Sequence, residues 1–428
     1  QSSTDQVEQA VLDWGTRYPQ HPVSNAFLSK LIDEYIATAQ KVKTIAVLLP
    51  QQGKFATAAD TIKNGLLSAY YADSHSINRP ILRFYDTSDP DIAFSQLLQR
   101  ALDEGATNVI GPLDKSLINK LAIEHALDAP VLTLNYGEHS VGQTDNLFQF
   151  GLAPEDEARQ VAELAIRQGR KTAVILAPDS DWGRRLQTAF QQYFETLGGR
   201  VLSSQDYSNS TADFSRPIRR LLNLDQSAIR HRRIEDTLGE RLQFIPYRRQ
   251  DVDMIFIAAT SRAARGIMPA FKFHHAADLP VYATSHVYTG TPNVQRDNDL
   301  NGLLFCDMPW VLENSSNGDS TAEDIQALKQ TFLRNWPDQQ RYTRLFALGV
   351  DAYHLVFNLE YLHENDFARF SGATGNIQLD ENNRIVRSLL WAKFINGRAV
   401  YIEPEIKLDT RPDEAGPATL PGTTPASL

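Results

Sequence analysis

A glycine followed by a lysine, Gly53-Lys54, closes an apolar run and opens a helical pattern, the place where a phosphate cradle would sit. Such a cradle needs several glycines so that backbone amides can approach the anion. The upstream glycine is missing here, so an ordinary strand-to-helix turn is the better reading. Ser116 and Lys120 stand one helical turn apart, a spacing that suits a Ser–Lys dyad, but Ser116 also stands where a helix begins and reads as its cap. His274 and Asp278 are spaced i,i+4 beside His275 and could hold a metal; histidines near a helix C-terminus are favoured by the dipole alone, and that reading carries more weight. The acidic runs Asp86/Asp89/Asp91 and Asp380/Glu381 lack the glycine and terminal glutamate of a calcium loop and read as turns. No serine sits between glycines after a strand, as a nucleophile elbow requires. The expectation is a non-enzyme with no catalytic residue, no metal and no cofactor.

The arginines are less easily absorbed. Between a helix starting near Asp213 and the apolar run at 253, some forty residues intervene, more than a βα unit requires. Arg230, Arg232, Arg233, Arg241, Arg248 and Arg249 crowd there, behind Arg216, Arg219 and Arg220. Two readings stand: a solvated helical arm whose arginines pair with Glu235, Asp236 and Glu240, or a positive surface on which an acidic partner docks.

The elements that must position these groups alternate. Short continuous apolar runs, IAVLLP (45–50), ILRFYD (81–86), NVIGPL (108–113) and PVLTLN (130–135), are separated by amphipathic stretches. That is the signature of strands buried on both faces of a parallel sheet. After LFQFGL (147–152) and a helix over 154–168, the logic repeats with TAVILAP (172–178), VLSSQDY (201–207), DMIFIAAT (253–260) and PVYATS (280–285). GLLFCDMPW (302–310), helices at 322–334 and 345–359, and a hairpin from IQLD (377–380) to LLWAKFI (389–395) then pack back onto the two lobes.

The pattern predicts an α/β chain with two doubly wound lobes and a cleft between them. The lobes span 43–150 plus 287–365 and 151–286 plus 366–404. Residues 1–42 read as a short helical segment, the end of a helical domain whose remainder is missing, and 405–428 as a disordered tail. Open α/β sheets bind ligands beyond the carboxyl ends of their strands. The candidate cleft lining is therefore Gln51, Gln52, Leu113, Asp114, Ser116, Asn135, Tyr136, Asp181, Trp182, Ser285 and His286.

Composition bounds the function. The 428 residues exceed what a single core organises, and 42% apolar with 22% charged residues is ordinary for a globular protein. A formal charge of −10 excludes a general nucleic-acid binder. Cys306 stands alone, so neither an intrachain disulfide nor a thiolate cage can form. No apolar run approaches the roughly 20 residues that cross a bilayer. The start at Gln1 suggests a processed or excised piece of a longer chain.

The Gly-Pro-x-x-x-Ser loop (Gly111, Pro112, Ser116), the Asp181-Trp182-Gly183 turn, the helix Gly349-Val-Asp-Ala-Tyr353 and the stretch Gly372 to Asp380 resemble the type I periplasmic-binding-protein fold over about residues 43–404. With IAVLLPQQGKF, VIGPLDKS, the arginine-rich insertion and the preceding helical segment, the chain is similar to the LpoA family of outer-membrane lipoproteins. That resemblance implies a non-enzymatic regulator on the periplasmic side of the outer membrane, binding and activating a class A penicillin-binding protein in peptidoglycan synthesis. In the family a helical repeat domain precedes this one, and a lipidated cysteine, absent from this chain, provides the only membrane attachment. The rival expectation is a solute-binding protein for an amino-acid-like or wall-derived ligand. Against the amino-acid mode, Leu113-Asp114-Lys115 and Asn135-Tyr136-Gly137 replace the small hydroxyl residues that hold a carboxylate in such relatives, and Asp114 would repel it.

Overall fold

The computed structural model describes residues 41–73, 79–89, 91–123, 126–137, 144–210, 213–312 and 320–405. The helical segment expected over 1–42, save its last two residues, and the tail expected over 405–428, save Glu405, lie outside the described residues.

Thr44–Leu49 (β1) is buried at every position, so both its faces need cover. It pairs in parallel with Ile81–Asp86 (β2) on one side and Asn108–Ile110 (β3) on the other, and Ala126–Thr133 (β4) and Asp145–Gln149 (β5) extend the sheet. The order β2-β1-β3-β4-β5 is doubly wound, with Ala56–Ala72 (α1), Phe94–Asp103 (α2) and Lys115–Leu121 (α3) as its crossovers.

Pro154–Arg167 (α4) leads into the second lobe, where Thr172–Pro178 (β6), Asp181–Thr196 (α5) and Arg200–Tyr207 (β7) follow. Ser215–Leu221 (α6) and Leu224–Leu238 (α7) occupy the arginine-rich insertion before Met254–Ile257 (β8), Ser261–Phe273 (α8) and Val281–Ala283 (β9). Leu304–Asp307 (β10) joins β9 in parallel, so a strand from the span expected in the first lobe belongs to the second sheet. The reason is its neighbourhood: Phe305 stacks on Phe394 with ring centroids 5.1 Å apart.

Ser320–Asn335 (α9), Thr343–Val356 (α10) and Leu359–Glu364 (α11) come next. Helix α10 packs on α1 of the first lobe, and the approach leaves no room for side chains. A Cβ on Gly65 would stand 2.0 Å from the Phe346 carbonyl oxygen, and one on Gly349 2.0 Å from that of Ile62.

The late strands pair differently from the hairpin expected. Phe370–Gly372 (β11), Gly375–Leu379 (β12) and Ile385–Ser388 (β13) form a three-stranded antiparallel sheet of their own. Leu390–Ile395 (β14) instead pairs with β10 and with Arg398–Ile402 (β15), closing the second sheet as β15-β14-β10-β9-β8-β6-β7. The turn chemistry explains it: Asn383 (φ 54°), and the pair Asn396-Gly397 (φ 51° and 73°), adopt the left-handed conformations of two tight turns where one was expected.

Asp351 ties two of the recognised motifs together. Its buried carboxylate accepts Ala373 N at 2.7 Å, Thr374 N at 2.7 Å and Thr374 Oγ at 2.6 Å, so α10 holds the loop after β11. Burial lifts its carboxyl to about 6. A Cβ on Gly372 would come within 2.5 Å of Asp351 Oδ2, which is why glycine begins that loop.

Candidate functional site

Around the ends of the first sheet, the candidate residues mostly satisfy one another. Gln51 and Gln52 are exposed, and Gln51 N donates to Asp86 Oδ1 at 2.9 Å. Asp114, not Ser116, caps α3: Asp114 Oδ1 accepts Ser116 N and Ser116 Oγ, each at 2.8 Å. A carboxylate at that position takes two bonds at once and meets the helix dipole, which a serine cap cannot do. Ser116 is thereby engaged with Asp114, and no Ser–Lys dyad forms.

Leu113 and Tyr136 are buried and do not line an open cleft. Tyr136 donates to Ile385 O at 2.7 Å, with Gly151 O at 3.3 Å, and the Arg384 guanidinium lies 4.6 Å from its ring centre. Burial pushes its phenol up to about 12, so it remains a donor at any physiological pH. Asn135 bonds back to Leu113 O at 3.3 Å. The turn between β12 and β13 thus covers the loop after β4, a place where an open sheet would receive a solute.

The second lobe supplies a different cluster. Ser180 caps α5 by accepting Gly183 N at 3.1 Å, and Gly183 is required because a Cβ would meet Pro178 O at 2.1 Å. The cap holds Trp182 against His286, with ring centroids 5.1 Å apart, while Asp181 is exposed and pairs with Arg184. Ser285 is buried, giving its amide to Glu157 Oε2 at 2.9 Å and its hydroxyl to Glu157 Oε1 at 3.0 Å.

His286 Nδ1 lies 3.8 Å from Glu157, an ion pair only if the imidazole is protonated. Burial and the nearby Arg344 guanidinium instead push His286 down to about 4, whereas burial raises Glu157. The serine hydroxyl is committed to the carboxylate and not to the imidazole. These three residues therefore lack the nucleophile–base bond that acyl transfer needs.

His286 makes a pH prediction. In the fold it binds a proton only near pH 4, while unfolded it does so near pH 6.5, so between those values the native state holds fewer protons. Its contribution to stability is present above pH 6.5 and is lost as pH falls. NMR titration should place its midpoint below pH 5, and His286→Gln should lose less melting temperature between pH 7 and pH 5 than the wild type. A midpoint near 6.5 would contradict the burial argument.

Three residues that sequence reasoning missed hold this region. Arg344, from α10, donates Nε to Asp307 Oδ1 at 2.9 Å and Nη2 to Asp307 Oδ2, and also reaches Tyr288 O at 3.0 Å and Ser285 O at 3.3 Å. Asp307 is 1% exposed at the end of β10. Together with Glu157 these charges bind the first-lobe helix to the ends of the second sheet. The signal was present: Asp307 interrupts an otherwise apolar run, and a lone charge there demands a partner.

The arginine insertion also divides. Arg248 is 9% exposed, donating to His275 O and Arg249 O at 2.9 Å each and pairing with Asp278. Arg249 forms two bonds to Asp251, at 2.7 and 2.9 Å. Both guanidinium groups are engaged within the chain itself. With Asp278 engaged by Arg248, the His274/Asp278 pair is not a metal site. Arg230, Arg232, Arg233 and Arg241 remain at the surface.

Two doubly wound lobes joined by returning segments define the type I periplasmic-binding-protein class. Within it, the chain belongs to the family described as "LppC putative lipoprotein", whose model matches residues 1–397. A curated relative from Photobacterium profundum, named penicillin-binding protein activator LpoA, is 26% identical over 394 residues, 91% of this chain and 62% of that protein. The chain thus spans less than two thirds of such relatives. The LpoA C-domain from Haemophilus influenzae, described as a regulator of PBP1A, superposes with a TM-score of 0.62 at 22% identity, covering 84% of this chain and all of that one. A Rhodospirillum rubrum protein described as a "putative branched-chain amino acid ABC transporter" gives 0.61 at 17% identity, over 84% of this chain and all of that one. Both likenesses fix the fold.

Proposed function

We propose that this chain is a non-enzymatic regulator that binds a class A penicillin-binding protein on the periplasmic side of the outer membrane and raises its peptidoglycan-synthesising output. The observation that carries the reading is Tyr136: a loop after the first-lobe strands, where a solute would lie, is occupied by the chain's own Arg384 and Ile385. Relatives named as activators of penicillin-binding proteins support the partner. Regulation by binding needs only that the chain prefer the active state of the synthase, since differential affinity is what shifts an equilibrium. The proposal includes the anchoring of the full-length protein by a lipid. It also includes a division into a first lobe of 43–150 with α9 to α11 and a second lobe carrying 151–286, β10 and the strands after 389.

A second reading, a receptor for a wall-derived solute, draws on the part-buried Trp182–His286 pair. One experiment separates the two. Glycan polymerisation by the purified synthase should rise several-fold on adding the full-length protein, with both proteins recovered together in a pull-down. Absence of both effects overturns the proposal. In the same preparations, a solute present at 100 times its dissociation constant would add about 2.7 kcal/mol of stability. A clear thermal shift with a wall peptide or amino acid and no effect on the synthase would favour the receptor.

A further inference from the structure

The arginine-rich insertion is ordered yet barely buried. Helix α7 rests on the second lobe through Leu224 and Ser227. It stops at Gly239 (φ 68°), and the chain returns along it over 241–249 in neither helix nor strand. Leu242 N donates to Glu235 Oε1 at 2.9 Å, the His231 and Phe244 rings lie 4.5 Å apart, Tyr247 N donates to Ser227 Oγ at 3.3 Å, and Arg249 N to Leu222 O at 3.0 Å. These contacts fix the shape of the arm without covering it.

What the arm shows to solvent is unusual. Of the nineteen large hydrophobic residues exposed among the described residues, seven fall between 229 and 247, including Ile234, Leu238, Ile245 at 82% and Tyr247 at 64%. Clustered apolar exposure on an ordered element marks an interaction surface, where scattered exposure would mean nothing. Arg230, Ile234 and Leu238 follow one another at i, i+4 and i+8, so charge and apolar groups share one row of the helix. Arg230, Arg232, Arg233 and Arg241 close no ion pair among the described residues, and Glu235 is already engaged by His231 and Leu242. Residues 215–249 carry nine arginines against four acids, a net of +5 on a chain whose total is −10.

We infer that the α7 arm is a docking surface for a protein that offers an apolar centre rimmed by carboxylates. The charge complement follows from the unpaired guanidinium groups, whose planar fork matches a carboxylate. A protein fits better than a bilayer, because the 241–249 segment belongs to no helix or strand, and its backbone groups could not be satisfied in hydrocarbon. The inference rests on the regulator reading, which makes the synthase the partner to test.

Two variants of the full-length protein test it: Arg230→Glu with Arg233→Glu, and Ile234→Asp with Ile245→Asp. All four positions are exposed, so melting temperatures should match the wild type. Each variant should bind the purified synthase at least about tenfold more weakly, and the charge variant should also lose salt dependence. Wild-type binding with unchanged affinity in both variants overturns the docking surface and leaves the regulator reading intact. No binding by the wild type overturns both. Loss in the variants of flotation with anionic phosphatidylglycerol vesicles, or of self-association in sedimentation, with synthase affinity unchanged, assigns the arm to a membrane or a second copy and overturns it as well.

Discussion

Replacing Gly349 with alanine is expected to destabilise the chain by about 2–3 kcal/mol, although alanine is favoured over glycine in a helix by about 1 kcal/mol. The cause is the crossing of α1 and α10, where a Cβ at Gly349 would stand 2.0 Å from the carbonyl oxygen of Ile62. No rotamer relieves that contact, so the helices must separate, and the buried residues Ile62, Leu66, Phe346 and Val350 lose packing with them. Gly65→Ala acts on the same crossing and should behave alike. The double variant should cost less than the sum, because helices already pushed apart admit the second methyl. Gly53 makes the contrast: its φ is +81° but nothing lies within 4 Å of its Cβ, and alanine there should cost only about 1 kcal/mol of backbone strain. Urea unfolding at constant m-value measures all four. A Gly349→Ala protein as stable as the wild type would mean that the close approach does not exist.

The same residues explain what was legible in the sequence. Short apolar runs such as TIAVLL read as buried parallel strands because amphipathic stretches separate them, and helices on both sides cover both faces. The motifs that carried the family resemblance mark close approaches that a side chain would block: a Cβ at Gly111 would stand 2.2 Å from Leu48 O, one at Gly183 2.1 Å from Pro178 O, and one at Gly372 2.5 Å from the Asp351 carboxylate. They identify the fold because the connections require them, and for that reason they say little about a ligand. Strand pairing after residue 370 was not legible, since β12 and β14 have similar patterns and only long-range packing distinguishes their partners. Within the arginine cluster, sequence could not separate the buried Arg248 from the exposed Arg230. Arg248 is fixed by His275 O and Asp278, thirty residues away at most in sequence and set by the end of α8 in space.

The partners of Asp307 lie farther off still, and they carry the remaining large effect. Arg344→Ala should cost about 3–5 kcal/mol, the range for breaking a buried ion pair by removing one side. Burial lifts the Asp307 carboxyl above its ordinary value even with the guanidinium in contact. The pair therefore neutralises a desolvated charge more than it adds net stability. Arg344→Lys should recover little, because two carboxylate oxygens and the Tyr288 and Ser285 carbonyls are reached by one planar group. Arg344→Met with Asp307→Leu should restore much of the loss, since no charge is left unpaired. The pair also joins α10, packed on the first lobe, to the last residue of β10 in the second sheet. Its loss should therefore loosen one lobe against the other, seen as a larger radius of gyration by X-ray scattering in Arg344→Ala than in the double variant. A single-variant cost below about 1 kcal/mol, the range of a surface pair, would show that solvent reaches Asp307 and that the lobes are held by packing alone.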